Sequence, residues 1–255
     1  MTLDRKTKLF LILGSFFITN AIVAEFIGAK IFSFENTLNV QKFDINILGF
    51  EHLSFELTCG VLLWPVVFIM TDIINEYYGK KGVKLLSYIA AGMITYSFIM
   101  VFLAIQVTPA DWWVGSASNK QVPDMQNAFS AVFGQGLWII IGSLVAFLVG
   151  QLVDVYVFHF IREKSGEKYL WLRSTGSTLV SQLIDSFVVL FIAFYIGNNW
   201  SIKQVLAIGI MNYIYKFVVA IIVTPFLYLL HNAIDKYLGK NLAHKMIDEA
   251  DKQYE

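Results

Sequence analysis

Residues 133–160 read FGQGLWIIIGSLVAFLVGQLVDVYVFHF, a run in which Asp154 is the one acidic residue and no lysine or arginine occurs. About 20 apolar residues in a helix span the roughly 30 Å hydrocarbon core of a bilayer. The run is therefore long enough to cross a membrane and too apolar to lie in water. Comparable runs lie near 9–32, 57–77, 83–107, 176–196 and 202–230, each bounded by charge clusters. The pattern predicts an all-α membrane protein, one domain over residues 1–255 with six transmembrane helices, followed by a polar cytoplasmic tail at 235–255. Composition agrees: 57% of the residues are hydrophobic, 15% are charged and the mean hydropathy is +0.62. That is more apolar surface than one globular core can bury.

Lysine and arginine set the orientation. Arg5, Lys6 and Lys8 precede the first run; Lys80, Lys81 and Lys84 follow the second; Arg162, Lys164, Lys168 and Arg173 follow the fourth; Lys236, Lys240, Lys245 and Lys252 follow the sixth. The intervening loops carry only Lys42, Lys120 and Lys203. The positive-inside rule then puts both termini in the cytoplasm and requires an even number of spans. The apolar stretch after Met1 to Lys8 is too long for a signal peptide and lacks a small-x-small cleavage site, so it reads as a retained first helix. Cys59 is the only cysteine, which excludes an intrachain disulfide and a thiolate metal cluster.

Two outer loops have distinct characters. Residues 33–55 alternate around Phe43, Ile45 and Ile47 among Asn36, Asn39, Asp44, Asn46 and Gly49, which predicts a short hairpin or a re-entrant piece. Residues 108–126 contain Pro109, Trp112, Trp113 and Pro123, and the paired tryptophans read as an interfacial anchor.

A charged side chain at the centre of a span costs about 2.5–3.5 kcal/mol on insertion scales, so each needs a reason. Glu25, Asp72, Asp154, Asp185 and Lys216 all fall inside the apolar runs, and together they trace a polar track through the bilayer depth. Residues three or four apart share a helix face. Gln151 thus accompanies Asp154, Gln182 accompanies Asp185, Asn212 accompanies Lys216, and Asn75 and Glu76 accompany Asp72. Helix-to-helix glue is the plain alternative, with Lys216 paired to Asp185 or Asp154. Interhelical polar contacts average only about 0.6 kcal/mol, a poor reason to bear the insertion cost. Lys30, near the outer interface, reads as a snorkelling anchor.

Gly142, Ala146 and Gly150 recur every four residues and predict close packing against another helix, in this chain or in a homodimer partner. Gly150–Asp154 (GQLVD) and Ser181–Asp185 (SQLID) nearly repeat each other on helices of opposite direction, an arrangement that often flanks a transporter binding site. Phe187, Tyr213 and Tyr215 lie near the track and could stack on a planar ring.

The segments Thr71–Gly79 (TDIINEYYG), Gly150–Asp154 and Trp171–Ser186 (WLRSTGSTLVSQLIDS) resemble the queuosine precursor transporter family, also called the vitamin uptake transporter family. The match runs from Asn20 to Lys216. The resemblance implies a six-helix protein of the bacterial inner membrane that imports 7-cyano- and 7-aminomethyl-7-deazaguanine. It also implies a fold like the substrate-binding subunits of energy-coupling-factor importers. Ala21, Ala24 and Ala29 do not form the alanine pair that many such subunits use to dock an ATPase module, so a self-sufficient carrier is expected ahead of an ATPase-coupled one.

Substrate contacts are expected from Asn20, Glu25, Gln151, Gln182, Asp185, Asn212 and Lys216, with Asp185 reading the guanine-like edge. Gating or coupling is expected from Asp72, Asn75, Glu76 and Asp154, with Asp72 and Asp154 forming transient pairs with the basic loops. No cofactor, metal or nucleic-acid partner is expected. The chain has no P-loop, no His-Glu-x-x-His pattern and no Gly-x-Ser-x-Gly elbow, which leaves an intramembrane enzyme as the rival class without a motif. His52, His159, His231 and His244 are scattered and read as interfacial or solvated.

Overall fold

The computed structural model describes residues 3–165 and 169–253; Lys168 lies outside them. Among the described residues, five helices are long and apolar enough to cross a membrane. The first, α1 (Arg5–Ile27), begins at Asp4, whose carboxylate accepts the Thr7 N–H at 2.7 Å. Free helix N-terminal donors need such an acceptor.

Beyond α1 the chain forms four short strands, β1 (Ile31–Ser33), β2 (Ile45–Ile47), β3 (Phe50–Leu53) and β4 (Glu56–Thr58). Strands β2 and β3 pair antiparallel as the hairpin that the alternation at Phe43, Ile45 and Ile47 predicts, while β1 and β4 pair beneath it with Phe32 opposite Leu57. Buried Glu35 closes this cap by accepting the Phe55 N–H at 2.8 Å. The helix expected near 57–77 starts only at Trp64, because Leu57 belongs to β4 and Cys59–Leu62 form a 3-10 turn.

Helix α2 (Trp64–Gln106) joins the runs expected near 57–77 and 83–107 into one element that breaks at Gly79 (φ 67°, ψ −171°). The first arm, 64–78, leaves the β end of α1, where Gly60 lies against Ala24, and ends with the Tyr78 ring tilted against Phe10, centres 4.9 Å apart. The second arm, 80–106, returns alongside α1: Leu86 lies against Gly14, and Phe98 sits 5.3 Å from Phe26. The reversal needs no loop. Lys80, Lys81 and Lys84 are therefore helical rather than loop residues.

The next apolar run is also interrupted. Helix α3 (Met125–Phe133) stops at Gly134, and α4 (Leu137–Ser165) starts after Gly136. Helix α5 (Leu170–Leu190) continues into a π-helical turn at Phe191–Ile196, and α6 (Ile202–Leu238) carries Pro225 inside it. The Gly142–Gly150 stripe packs α4 onto α5 of the same chain. A Cβ at Gly142 would lie 3.1 Å from the Val189 carbonyl.

The polar tail is a docked element. Helix α7 (Lys240–Asp251) buries Ala243, Met246 and Ala250. Beyond it, the Gln253 Oε1 accepts the Lys81 N–H and its Nε2 donates to the Tyr78 carbonyl, bracketing Gly79. Lys6 bonds Glu249 at 2.9 Å and holds that carboxyl below its ordinary range. Leu13, Phe17, Ile73, Ile94, Phe147 and Leu227 fill the core. Leu11, Phe16, Ile89, Phe102, Ile222 and Phe226 face outward.

Candidate functional site

A cavity of about 430 Å³ opens between the end of α1, the Gly134–Gly136 break, α5 and α6. Glu25 reaches it from α1, Asp185 and Ser186 from α5, and Asn212 and Lys216 from one face of α6. Four expected substrate contacts, Glu25, Asp185, Asn212 and Lys216, therefore meet in one space. Its volume falls within the roughly 300–1,000 Å³ of small-molecule sites.

The charges are set unequally. Lys216 Nζ donates to Asp185 Oδ2 at 2.5 Å. Glu25 is only 7% exposed, has no ionic partner among the described residues, and its Oε1 meets no hydrogen-bond donor there. Its backbone carbonyl accepts from Gln135 Nε2 at 3.0 Å, which pins the helix break to the end of α1. Irregular backbone at membrane depth is tolerated where it lines a cavity. Gly134, Gln135 and Gly136 line this one. They are cavity-lining positions that the sequence reading passed over, although a Gly-Gln-Gly triplet inside an apolar run is a usable signal.

Trp64 and Phe194 supply the aromatic wall, in place of the expected Phe187, Tyr213 and Tyr215. Phe194 belongs to the π-helical turn and stacks on Trp200 with ring centres 4.4 Å apart. Such turns recur at functional sites. Phe187 packs against Gly209, Tyr213 against Phe217, and Tyr215 against Phe34.

The other expected contacts sit elsewhere. Gln182 lines a separate small cavity of about 40 Å³ with Asp72, Ser174, Thr178, Tyr215 and Lys216. Lys216 thus borders both spaces. Gln151 is buried and accepts from Thr71 Oγ1 at 3.0 Å, while Asn20 donates to the Phe16 carbonyl of its own helix and lines neither cavity. On the β side, Asn212 also lines a pocket of about 170 Å³ with Lys42, His52 and Glu56.

The near-repeat has a spatial meaning. Asp154 Oδ1 accepts from Ser181 Oγ at 3.1 Å, so the fifth residue of one copy meets the first of the other. Reciprocally, a Cβ built on Gly150 would lie 3.7 Å from the Asp185 Cβ. The two copies face each other about a local two-fold. Gly150 has no hydroxyl, and Asp185 bonds Lys216 instead.

Glu76 and Asn75 form a different structure at the end carrying both termini. Glu76 accepts from Arg162 Nη1 at 3.2 Å and from Arg173 Nε and Nη2 at 3.2 and 2.6 Å; all three residues are buried. Arg162 also bonds Asp251 at 2.5 Å, and Asn75 Oδ1 lies 3.3 Å from His159 Nε2. In this structure Arg162 and Arg173 pair with Glu76. Asp72 takes Ser174 and Asp154 takes Ser181, hydroxyl partners from α5. Arg162 and Arg173 were passed over because they were read as loop charges, although arginine is the residue suited to buried ion pairs.

Residues 58–230 match the family described as "Putative vitamin uptake transporter". A Bacillus subtilis protein named "Probable queuosine precursor transporter" is 32% identical over 183 residues, covering 70% of this chain and 73% of that protein. The Escherichia coli "Queuosine precursor transporter" is 26% identical over 199 residues, covering 76% and 79%. A Haemophilus influenzae protein, also named "Probable queuosine precursor transporter", is 27% identical over 175 residues, 66% of each chain. No solved structure matches the chain. The family match spans most of the sequence, including α5 and most of α6 on the cavity wall, and the chain belongs to the vitamin uptake transporter family.

Proposed function

We propose that this protein imports 7-deazaguanine precursors of queuosine across a bacterial inner membrane, binding the base in the cavity between Glu25 and Lys216. Membership of a transporter family sets the enzyme alternative aside, and the names of the three relatives support the substrate class. The observation that carries the reading is the convergence of two carboxylates, an amide and an ammonium on one cavity with aromatic walls.

A 7-deazaguanine presents a ring N–H beside an exocyclic amino group, and a carboxylate can accept both bonds at once. The edge-reading role expected of Asp185 fits Glu25 better. Asp185 already spends one oxygen on Lys216, whereas Glu25 keeps a buried oxygen without a donor among the described residues. Asn212 and Lys216 can donate to the ring carbonyl, and Trp64 or Phe194 can cover the flat face. A buried carboxylate deprived of donors is costly, so bases that lack the paired donor edge are rejected.

The membrane arrangement follows from the charge pattern. In this proposal the two arms of α2 cross separately, giving six passes with both termini cytoplasmic, and the pocket at Lys42 and His52 is the outer approach to Asn212. The test is calorimetry of 7-cyano-7-deazaguanine on the purified protein, with adenine as control. Glu25→Gln should weaken binding at least tenfold without unfolding the protein, and wild-type protein alone in liposomes should take the base up. Unchanged affinity in a folded Glu25→Gln variant would overturn the site. Uptake that requires an added ATPase module would replace the carrier by an ATPase-coupled subunit.

A further inference from the structure

The carboxylates inside the membrane-length helices are balanced unequally. Glu76 has two guanidinium partners and Asp185 has Lys216. Asp72 and Asp154 are 4% and 0% exposed and have no ionic partner among the described residues. Two uncompensated charges at that depth cannot both persist, because a buried ion without a counter-charge costs several kcal/mol.

The surroundings of the pair are built from hydroxyls. Ser174, Ser177, Thr178 and Ser181 occupy one buried face of α5 at three- and four-residue spacing. Ser174 donates to Asp72 Oδ2 and Ser181 to Asp154 Oδ1. Asp72 Oδ1 and Asp154 Oδ2 meet no hydrogen-bond partner among the described residues. Thr178 Oγ1 and Gln182 Nε2, both more than nine-tenths buried, likewise meet no hydrogen-bond partner among the described residues, and they line the small cavity with Asp72. The charged and titratable groups around the pair are Glu76 with Arg162 and Arg173 on the side of the termini, His159 against Asn75, and Lys216 across the small cavity.

We infer that Asp72 and Asp154 form a proton-binding pair that couples solute movement to the proton gradient. The pair takes up one proton on one carboxylate oxygen and keeps a single negative charge, shared through the α5 hydroxyls. In transport the proton is received from water on the outer side and released to water at the Glu76 end, with no bond to the solute. The inference rests on the transport reading, but the proton site can be read without any solute.

The experiment is infrared difference spectroscopy of the purified protein between acid and neutral pH, in light and heavy water. The expected result is a carboxylic-acid carbonyl band that shifts on deuteration and disappears in Asp154→Asn, with Asp72→Asn as the second variant. Both variants should keep wild-type thermal stability at neutral pH, since the amide resembles the protonated acid. Absence of the band in wild type, or a full band in both folded variants, would overturn the inference. In proteoliposomes, accumulation of 7-cyano-7-deazaguanine should rise at least tenfold under an inward proton gradient and lose that dependence in Asp154→Asn. Accumulation that follows a sodium gradient and ignores pH would overturn the proton as the coupling ion. If wild-type liposomes take up no base under any gradient, the transport reading fails, and the infrared band still decides the proton site.

Discussion

Glu25, Asp72, Glu76, Asp154 and Asp185 look alike in the sequence, carboxylates where lipid-facing residues would be apolar. Their partners separate them into a cavity wall, a hydroxyl-bound pair and an ion triad. The triad predicts a stability effect. Glu76→Gln removes the carboxylate shared by two buried arginines, and removing one member of a buried ion pair costs about 3–5 kcal/mol. A lower midpoint in chemical denaturation is expected, with Arg162 partly compensated by Asp251. A wild-type midpoint would show that the triad contributes nothing net. What the sequence exposed at this scale was the depth and face of each polar group, because the helical repeat follows from residue spacing alone. The pairing of each group was hidden, since it depends on which helices become neighbours. Asn20 and Gln151 share the expected depth, yet Asn20 bonds its own helix and Gln151 Oε1 bonds Thr71, away from the large cavity.

Elements were legible as apolar runs and illegible at their breaks. Hydropathy measures how much of a segment tolerates lipid. It does not register a backbone reversal made by one glycine, so the two arms of α2 read as separate helices and the α3–α4 break as part of a continuous run. Gly79 can be tested directly. Its φ of 67° with ψ of −171° lies in a region that residues with a Cβ adopt at a cost of about 1–3 kcal/mol. An added Cβ would also sit 2.7 Å from Gln253 Oε1. Gly79→Ala should lower stability by about that amount in thermal or denaturant unfolding. Adding Gln253→Ala should not restore it, because the strain belongs to the backbone. Full rescue by the second substitution would assign the whole effect to the clash.

At the scale of the whole molecule, the charge asymmetry predicts one orientation. With Cys59 replaced by serine, single cysteines introduced at exposed Gln41, Ser118 and Asn199 should react with a membrane-impermeant thiol reagent added outside intact cells. Cysteines at Lys164 and Lys245 should react only after permeabilisation. Labelling of the Lys245 position from outside would remove the six-pass arrangement. The helical class, the membrane location and the family were readable from hydropathy, charge and the three matching segments. The docking of α7 over the Gly79 reversal was not, because Lys240–Asp251 carries the charge of a solvated tail and discloses its buried Ala243, Met246 and Ala250 only once a partner surface exists.

One ammonium, Lys216, borders both the large cavity and the small one that holds Asp72. A positive charge within reach of two sites makes their occupancies interdependent. When Lys216 donates to the ring carbonyl of a bound base, its charge is drawn toward the large cavity and opposes a proton on the hydroxyl-lined side less; a proton already bound there, in turn, favours the base. Thermodynamic reciprocity requires the two factors to be equal. The sign is cooperative, the relation a symporter needs, in which both occupants load together.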